Sequence, residues 1–127
     1  MQDFQDRDLG FAVVRRAPDG IVEVRFSPGT IVDVTEMHGI LDAQNPHRPD
    51  GSLVLTLVDA RTVRTMTRAA QDLSAKEPAR GVAILVGNPV SVMLGNIFLA
   101  VSKPTYPSRL FRSEPEARAW LLSLDQP

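Results

Sequence analysis

The stretch from Ala79 to Ala100 constrains the fold of this chain more than any other segment. Residues 81–86 form a short apolar run rich in β-branched side chains, and Gly87 closes it. Asn88 and Pro89 then open a second apolar run over residues 90–101, which is too long for an ordinary strand. A buried strand that feeds directly into a buried helix is the unit from which layered α/β domains are built. The segment therefore predicts an α/β fold, and it names no reaction.

Composition limits the class of protein. The chain has 127 residues, of which 43% are apolar and 23% charged, as in a domain that buries a sizeable core. Its net charge of −1 argues against a protein that coats nucleic acid. With no cysteine and two histidines, it offers no thiolate nucleophile and poor material for a metal site. The polar N-terminus and the short apolar runs predict neither a signal peptide nor a membrane span. We therefore expect a cytoplasmic protein without a metal or cofactor.

Hydrophobic periodicity predicts elements in the order β-β-α-β-α-β-α-β-α. The predicted strands cover residues 11–16, 20–26, 53–58, 81–86 and 109–112. The first predicted helix runs from Thr30 or Asp33 to about Ala43, and the others cover residues 62–76, 90–101 and 113–124. The turn Ala17-Pro18-Asp19-Gly20 makes the first two strands an antiparallel hairpin, and the later strands alternate with helices and should be parallel. Residues 1–10 are predicted to be a disordered or frayed lead-in, residues 45–51 a loop, and residues 11–127 a single domain.

Three phrases of the sequence resemble one known superfamily. They are Leu57-Val-Asp-Ala-Arg61, Ala83-Ile-Leu-Val-Gly-Asn88, and residues 107–121, which read Pro-Ser-Arg-Leu-Phe-Arg-Ser-Glu-Pro-Glu-Ala-Arg-Ala-Trp-Leu. With the order of elements over residues 10–124, they resemble the STAS/SpoIIAA-like superfamily, and within it the small bacterial single-domain proteins. The resemblance implies an α/β fold with an α+β tendency, a mixed sheet of about five strands, an N-terminal antiparallel hairpin and four helices. It also implies a protein that binds partners rather than one that catalyses a reaction.

The same resemblance draws attention to Thr62. Anti-sigma-factor antagonists of that superfamily are switched by phosphorylation of a Ser or Thr just after the third strand, in an Asp-Ser-x-Gly-Leu setting. The matching positions here read Asp59-Ala60-Arg61-Thr62-Val63, so the Asp is present and the Ser-x-Gly core is missing. Thr62 carries a hydroxyl that a kinase could modify, but the departure from the pattern weakens the case for such a switch.

Six residues are candidates for binding a ligand or partner: Asp59, Arg61, Thr62, Asn88, Lys103 and Tyr106. Asp59 ends a predicted parallel strand, where open α/β sheets bind ligands, although an Asp there also caps a helix or accepts in an Asx-turn. The basic candidates, with Arg64, Arg68 and Arg109, form either a basic surface or an ordinary solvated face. A helix that starts at Asn88 offers an anion site, or simply a normal start.

Apolar residues occupy the whole circumference of the predicted helix over residues 90–101, whereas a helix with one buried face carries fewer. We interpret this helix as a subunit interface made by Val90, Met93, Leu94, Ile97 and Phe98, with a well-covered core helix as the alternative. The chain is therefore expected to be a non-catalytic regulatory or protein-interaction module, which acts as a homodimer or homo-oligomer or docks to a regulatory protein.

The alternative function is the binding of a small molecule or lipid in a pocket between helix 90–101 and the sheet. Met93 and Phe98 would lie in its wall, and Arg61, Lys103 or Tyr106 at its mouth. An enzyme that uses Asp59 and Tyr106 is a third and weaker hypothesis, because these residues suggest no mechanism.

Overall fold

A six-stranded mixed sheet forms the centre of the protein in the computed structural model, which describes residues 6–44 and 53–125. Its strands are β1 (Arg7–Asp8), β2 (Ala12–Arg16), β3 (Val22–Phe26), β5 (Leu55–Asp59), β7 (Gly81–Leu85) and β8 (Ser108–Phe111), which lie side by side in that order. β1 and β2 pair antiparallel, as do β2 and β3, and the pairs from β3 to β8 are parallel. The predicted hairpin followed by parallel strands is therefore confirmed.

Four α-helices accompany the sheet in the described ranges. They are α1 (Val34–Gln44), α2 (Arg68–Lys76), α3 (Pro89–Ile97) and α4 (Glu114–Ser123). The predicted starts of α3 and α4 are confirmed, because Asn88 caps α3 ahead of Pro89 and the Ser113 side chain accepts from the N–H of Glu116. The reciprocal partner of Asn88 is Ser91, so the capping box of α3 uses a serine where a glutamate is usual.

The helices cover the sheet unequally because side chains alternate between its two faces. Val82 and Ile84 on β7 lie in one cluster with Phe98, on the face that α1, α2 and α3 cover. Their neighbours Ala83 and Leu85 lie in another cluster with residues of α4, on the opposite face. The helix α4 packs mainly against β5, β7 and β8 and reaches β3 through polar side chains, so it covers the β2–β3 end of that face less closely.

Several predicted boundaries are wrong. Residues 7–8, which we assigned to the lead-in, form β1 along β2, while residues 1–5 and the predicted loop at 45–51 lie outside the described residues. Ile31–Val32 (β4) and Thr65–Met66 (β6) pair as a second, two-stranded parallel sheet. The first helix therefore starts after Asp33, the second of its two predicted starts, whereas α2 starts after Thr67 rather than at residue 62. The central sheet, predicted to have about five strands, has six because β1 adds to the five predicted ones. The predicted helix over 90–101 is α3 followed by a π-helical turn over Phe98–Ser102.

Candidate functional site

Four arginines and four carboxylates meet on the face of the sheet that carries α4. We call this set the charge network; its members are Arg15, Asp19, Glu23, Arg25, Asp59, Arg61, Glu114 and Arg118. Strand alternation explains the placement, because Glu23 and Arg25 on β3 share a face with Asp59 at the end of β5. The network fills the part of that face that α4 leaves open.

Arg25 is the centre of the network. Its Nη1 donates to Asp59 Oδ2 at 3.0 Å, its Nη2 to Glu114 Oε2 at 2.8 Å and its Nε to Glu23 Oε1 at 3.3 Å. These contacts join β3 to the carboxyl end of β5 and to the first turn of α4. The hydrogen bond from Arg25 lowers the pKa of Glu114 against the opposing effect of burial.

Arg118 makes a second set of contacts from the middle of α4. Its guanidinium binds both oxygens of Asp19 at 2.8 and 2.9 Å and donates to Glu23 Oε2 at 2.6 Å and to Glu114 Oε2 at 3.2 Å. The Glu23 side chain is 6% exposed and accepts hydrogen bonds from Arg25 and Arg118. Nε of Arg15 lies 3.2 Å from Glu23 Oε1, but it makes no hydrogen bond within the described ranges, so charge attraction holds that pair. Glu23 is thus a buried anion surrounded by three cations.

Asp59 and Arg61, two predicted site residues, form a bidentate pair. Nε and Nη2 of Arg61 donate to the two oxygens of Asp59 at 2.9 and 2.8 Å, and the Arg61 backbone N–H also points at Asp59 Oδ1. Burial acts to raise the pKa of Asp59, but the bonds from Arg61 and the charge of Arg25 outweigh it, so the pKa is lowered. The carboxylate is therefore an Asx-turn acceptor and an ion-pair partner.

Asn88 joins the loop after β5 to the loop after β7. Its Nδ2 donates to the carbonyl of Arg61 at 2.7 Å, and its Oδ1 accepts from the N–H of Ser91 at 2.8 Å. The Oγ of Ser91, fully buried, accepts from the N–H groups of Gly87 and Asn88. The N–H groups of Gly87, Asn88 and Ser91 are thus occupied by side chains of this segment, which leaves fewer donors for the predicted anion site at the start of α3.

The structure brings some of the six candidates together and separates the others. Asp59, Arg61 and Asn88 are in contact, and the neighbouring Thr62 is exposed. Lys103 ends the π-helical turn with a left-handed φ of 51°, and its backbone N–H donates to the carbonyl of Phe98. Tyr106 lies on the α1–α3 side, where its hydroxyl donates to the carbonyl of Ser74 at 2.9 Å.

Burial raises the pKa of Tyr106 to about 12. Asp59 points to the α4 face of the sheet through its contact with Arg25, whereas Tyr106 packs on the other face. The sheet therefore lies between the two residues that the enzyme hypothesis combines.

The outer side of α3 and its π-helical turn is apolar and uncovered in the described ranges. Met93 is 54% exposed, Val101 43% and Val90 41%, and no charged residue occurs between Pro89 and Ser102. Ile97 contributes to the same shallow groove. Phe98, however, is 6% exposed and Leu94 is half-buried, both on the inner side. The predicted interface set is thus split, because three of its members face outwards and two face the core.

A cavity of about 100 Å³ lies beneath the inner side of α3. Most of its lining is apolar, with Val58 and Ile84 from the sheet and Phe98 from the π-helical turn. Tyr106 and the buried Gln71 also line it, and Gln71 Nε2 donates to the carbonyl of Leu94 at 2.9 Å. Of the residues predicted for the wall and mouth of a pocket, Phe98 and Tyr106 line this cavity, whereas Met93, Arg61 and Lys103 do not.

Sequence reasoning missed most of the charge network. Two local signals were present. Glu23 and Arg25 put charge on alternate positions of an otherwise apolar strand, and Glu114 and Arg118 stand four residues apart on a helix.

In the part of the chain that the structure describes, no three acidic, His or Cys side chains cluster as a metal site. Among the described helices, none has the length and apolar character needed to cross a membrane.

Comparison with known proteins gives a family and a fold. The model of a family described as a domain of unknown function (DUF7793) matches residues 16–125, and the chain therefore belongs to that family. A crystal structure of an uncharacterized protein of the DUF3478 family from Shewanella loihica PV-4, with a SpoIIAA-like fold, superposes with a TM-score of 0.62. It is 12% identical, and the match covers 95% of this chain and 98% of that one. No curated protein matches the sequence. The predicted SpoIIAA-like fold is confirmed.

Proposed function

We propose that this member of the DUF7793 family is a non-catalytic interaction module of the cytoplasm, which self-associates through the outer side of α3. The observation that carries the proposal is the exposed apolar surface formed by Val90, Met93, Ile97 and Val101. Contiguous exposed apolar surface of this kind marks an interaction site in soluble proteins.

The absence of charge favours a second copy of the chain as the partner. In a two-fold dimer the same patch meets itself, so any charge in it would be placed near its own copy. The segment from Pro89 to Ser102 contains no charged side chain, as expected at the core of an interface. Full burial of a Met side chain contributes about 1.5–3 kcal/mol, so covering the exposed half of Met93 contributes roughly 1 kcal/mol per subunit.

Substitution of Met93 tests this proposal. Met93→Glu places a carboxylate in the apolar surface, where its desolvation costs several kcal/mol, roughly a 100-fold or greater weakening of association. Leu122→Glu is the matched control, because Leu122 is an exposed apolar residue on α4, 37% accessible. Light scattering should show a dimer for the wild type and the control and a folded monomer for Met93→Glu.

The variant Phe98→Glu is unsuitable for this purpose because Phe98 is a core residue. A dimer that survives Met93→Glu would show that another surface makes the contact. A wild-type monomer would exclude self-association and leave a different regulatory protein as the partner to seek.

A second candidate function is the binding of a small apolar molecule or a lipid chain, which the cavity beneath α3 favours. Its volume of about 100 Å³ is below the roughly 300–1,000 Å³ of typical ligand pockets and nearer to a cavity that holds benzene, about 150 Å³. A small molecule fits this space better than a lipid, whose chain would require α1–α3 to separate from the sheet.

Thermal denaturation with benzene, short alkanols and a fatty acid tests the second candidate. Binding to the native state raises Tm with ligand concentration. Val58→Phe, which fills the cavity from β5, should abolish the shift for benzene, and Val90→Phe on the outer side of α3 is the control. The absence of a shift with any of these compounds would reject this candidate.

A further inference from the structure

We propose that the cavity beneath α3 takes a small neutral molecule with an apolar body and one hydroxyl group, which hydrogen-bonds to Thr56. The inference rests on the second candidate function given above and adds the chemical class of the ligand. The cavity is lined by residues of β3, β5 and β7 and of α1, α2 and α3. Because most of this lining is apolar, the few polar groups in it decide which ligand the cavity prefers.

Thr56 is the polar side chain that the sheet contributes to the cavity. It is 4% exposed and lies on β5 two residues before Val58, so both side chains are on the face that α1–α3 cover. Its hydroxyl has no hydrogen-bond partner among the described residues. Such a buried hydroxyl is costly, because folding removes its bond to water without replacing it. A ligand hydroxyl in the cavity would supply the missing bond.

Gln71 adds a second polar group, from α2. It is 2% exposed, and its Nε2 donates to the carbonyl of Leu94 at 2.9 Å. This bond identifies the other atom of the amide as the oxygen, which is an acceptor. A polar group that can both donate and accept therefore suits the cavity better than one that only accepts.

Charge disfavours a carboxylate as the polar group of the ligand. Among the described residues that line the cavity, the single charged one is Glu77, which follows α2. Its negative charge acts with burial to raise the pKa of Tyr106, so its potential reaches the cavity wall. A buried carboxylate would thus meet an anion and find no cation in this lining. A neutral hydroxyl avoids that cost.

Volume sets the size of the ligand. A cavity of about 150 Å³ holds benzene, so the present one, about 100 Å³, holds a molecule of about four or five non-hydrogen atoms. The alcohol 1-butanol is of this size, and 1-chlorobutane has the same chain with chlorine in place of the hydroxyl. The two compounds are therefore a matched pair of probes.

The substitution Thr56→Val tests the contact, because it keeps the shape of the side chain and removes its hydroxyl. NMR titration of the Val58 and Ile84 methyl signals gives the Kd of each probe. The ratio of the affinities for 1-butanol and 1-chlorobutane should fall by about 2- to 10-fold in Thr56→Val, since a neutral hydrogen bond is lost. Thr65→Val, the same change at an exposed residue outside the cavity, should leave the ratio unchanged.

The wild type offers a second measurement that needs no substitution. The carbon of 1-butanol that bears the hydroxyl should show nuclear Overhauser effects to the Thr56 methyl group. Butyrate and butylammonium at neutral pH should cause no saturable shift of the cavity methyl signals.

The outcomes separate this inference from the second candidate function. An unchanged ratio in Thr56→Val, or an ion that binds as tightly as 1-butanol, would overturn the neutral hydroxyl and leave the cavity as a binding site. If neither 1-butanol nor 1-chlorobutane caused saturable shifts, the cavity would hold water only, and both the inference and the second candidate function would be wrong.

Discussion

The charge network allows a quantitative prediction at Glu23. Its side chain is 6% exposed and binds Arg118 at 2.6 Å and Arg25 at 3.3 Å. Glu23→Gln keeps the shape of the side chain but removes its charge, so one ion pair becomes a hydrogen bond from a charged arginine to an uncharged amide oxygen, and the new NH₂ group faces the other arginine. Charge-assisted hydrogen bonds contribute about 1.5–3 kcal/mol each. Because Arg25 is 34% exposed and can turn to water, we expect a loss of about 2–3 kcal/mol.

Urea denaturation followed by the fluorescence of Trp120 measures this loss. Trp120 is the single tryptophan and lies on α4, which Arg118 ties to Glu23. A loss of this size corresponds to a fall in Tm of about 8–12 °C. Asp42→Asn on α1 is the control, because it makes the same carboxylate-to-amide change at an exposed residue. If the two variants were equally stable, the charge network would contribute nothing and this reasoning would be refuted.

Two further perturbations follow from the site. Folding lowers the pKa values of the Asp59 and Glu114 carboxyl groups. The stability that their ion pairs contribute is therefore fully present above the pKa of these groups in the unfolded chain, about 4. It is lost as the pH falls through their lower pKa values in the folded protein. The free energy of unfolding should therefore be flat from pH 8 to 5 and decline below pH 4; a decline that starts above pH 5 would contradict this assignment. The substitution Asn88→Ala removes both the cap of α3 and the hydrogen bond to the carbonyl of Arg61. It should lower the free energy of unfolding, measured by denaturation, by about 1–2 kcal/mol. A loss below about 0.5 kcal/mol would show that Ser91 alone holds the helix start.

Local chemistry made much of the fold predictable. The turn ending in Gly20, which has a φ of +89°, required the hairpin, and the pair Asn88-Pro89 defined the start of α3. The short strands β4 and β6 were missed because two-residue strands carry no periodic signal and were absorbed into the neighbouring helices.

The site was less predictable because its contacts are long-range. Arg118 and Asp19 are 99 positions apart, and no local pattern joins them. The two faces of α3 were also hard to assign, because apolar residues surround the helix and the π-helical turn after Ile97 changes its period. Thus Leu94 and Phe98 were placed with Met93, whereas the structure puts them on the opposite side of the helix.

The solution mass of the wild-type protein is the most direct test of the central claim. Light scattering over a wide concentration range should give a species of twice 13.9 kDa, which dissociates reversibly on dilution. A mass of 13.9 kDa at every concentration would contradict the account, because the exposed side of α3 would then remain uncovered by a second copy.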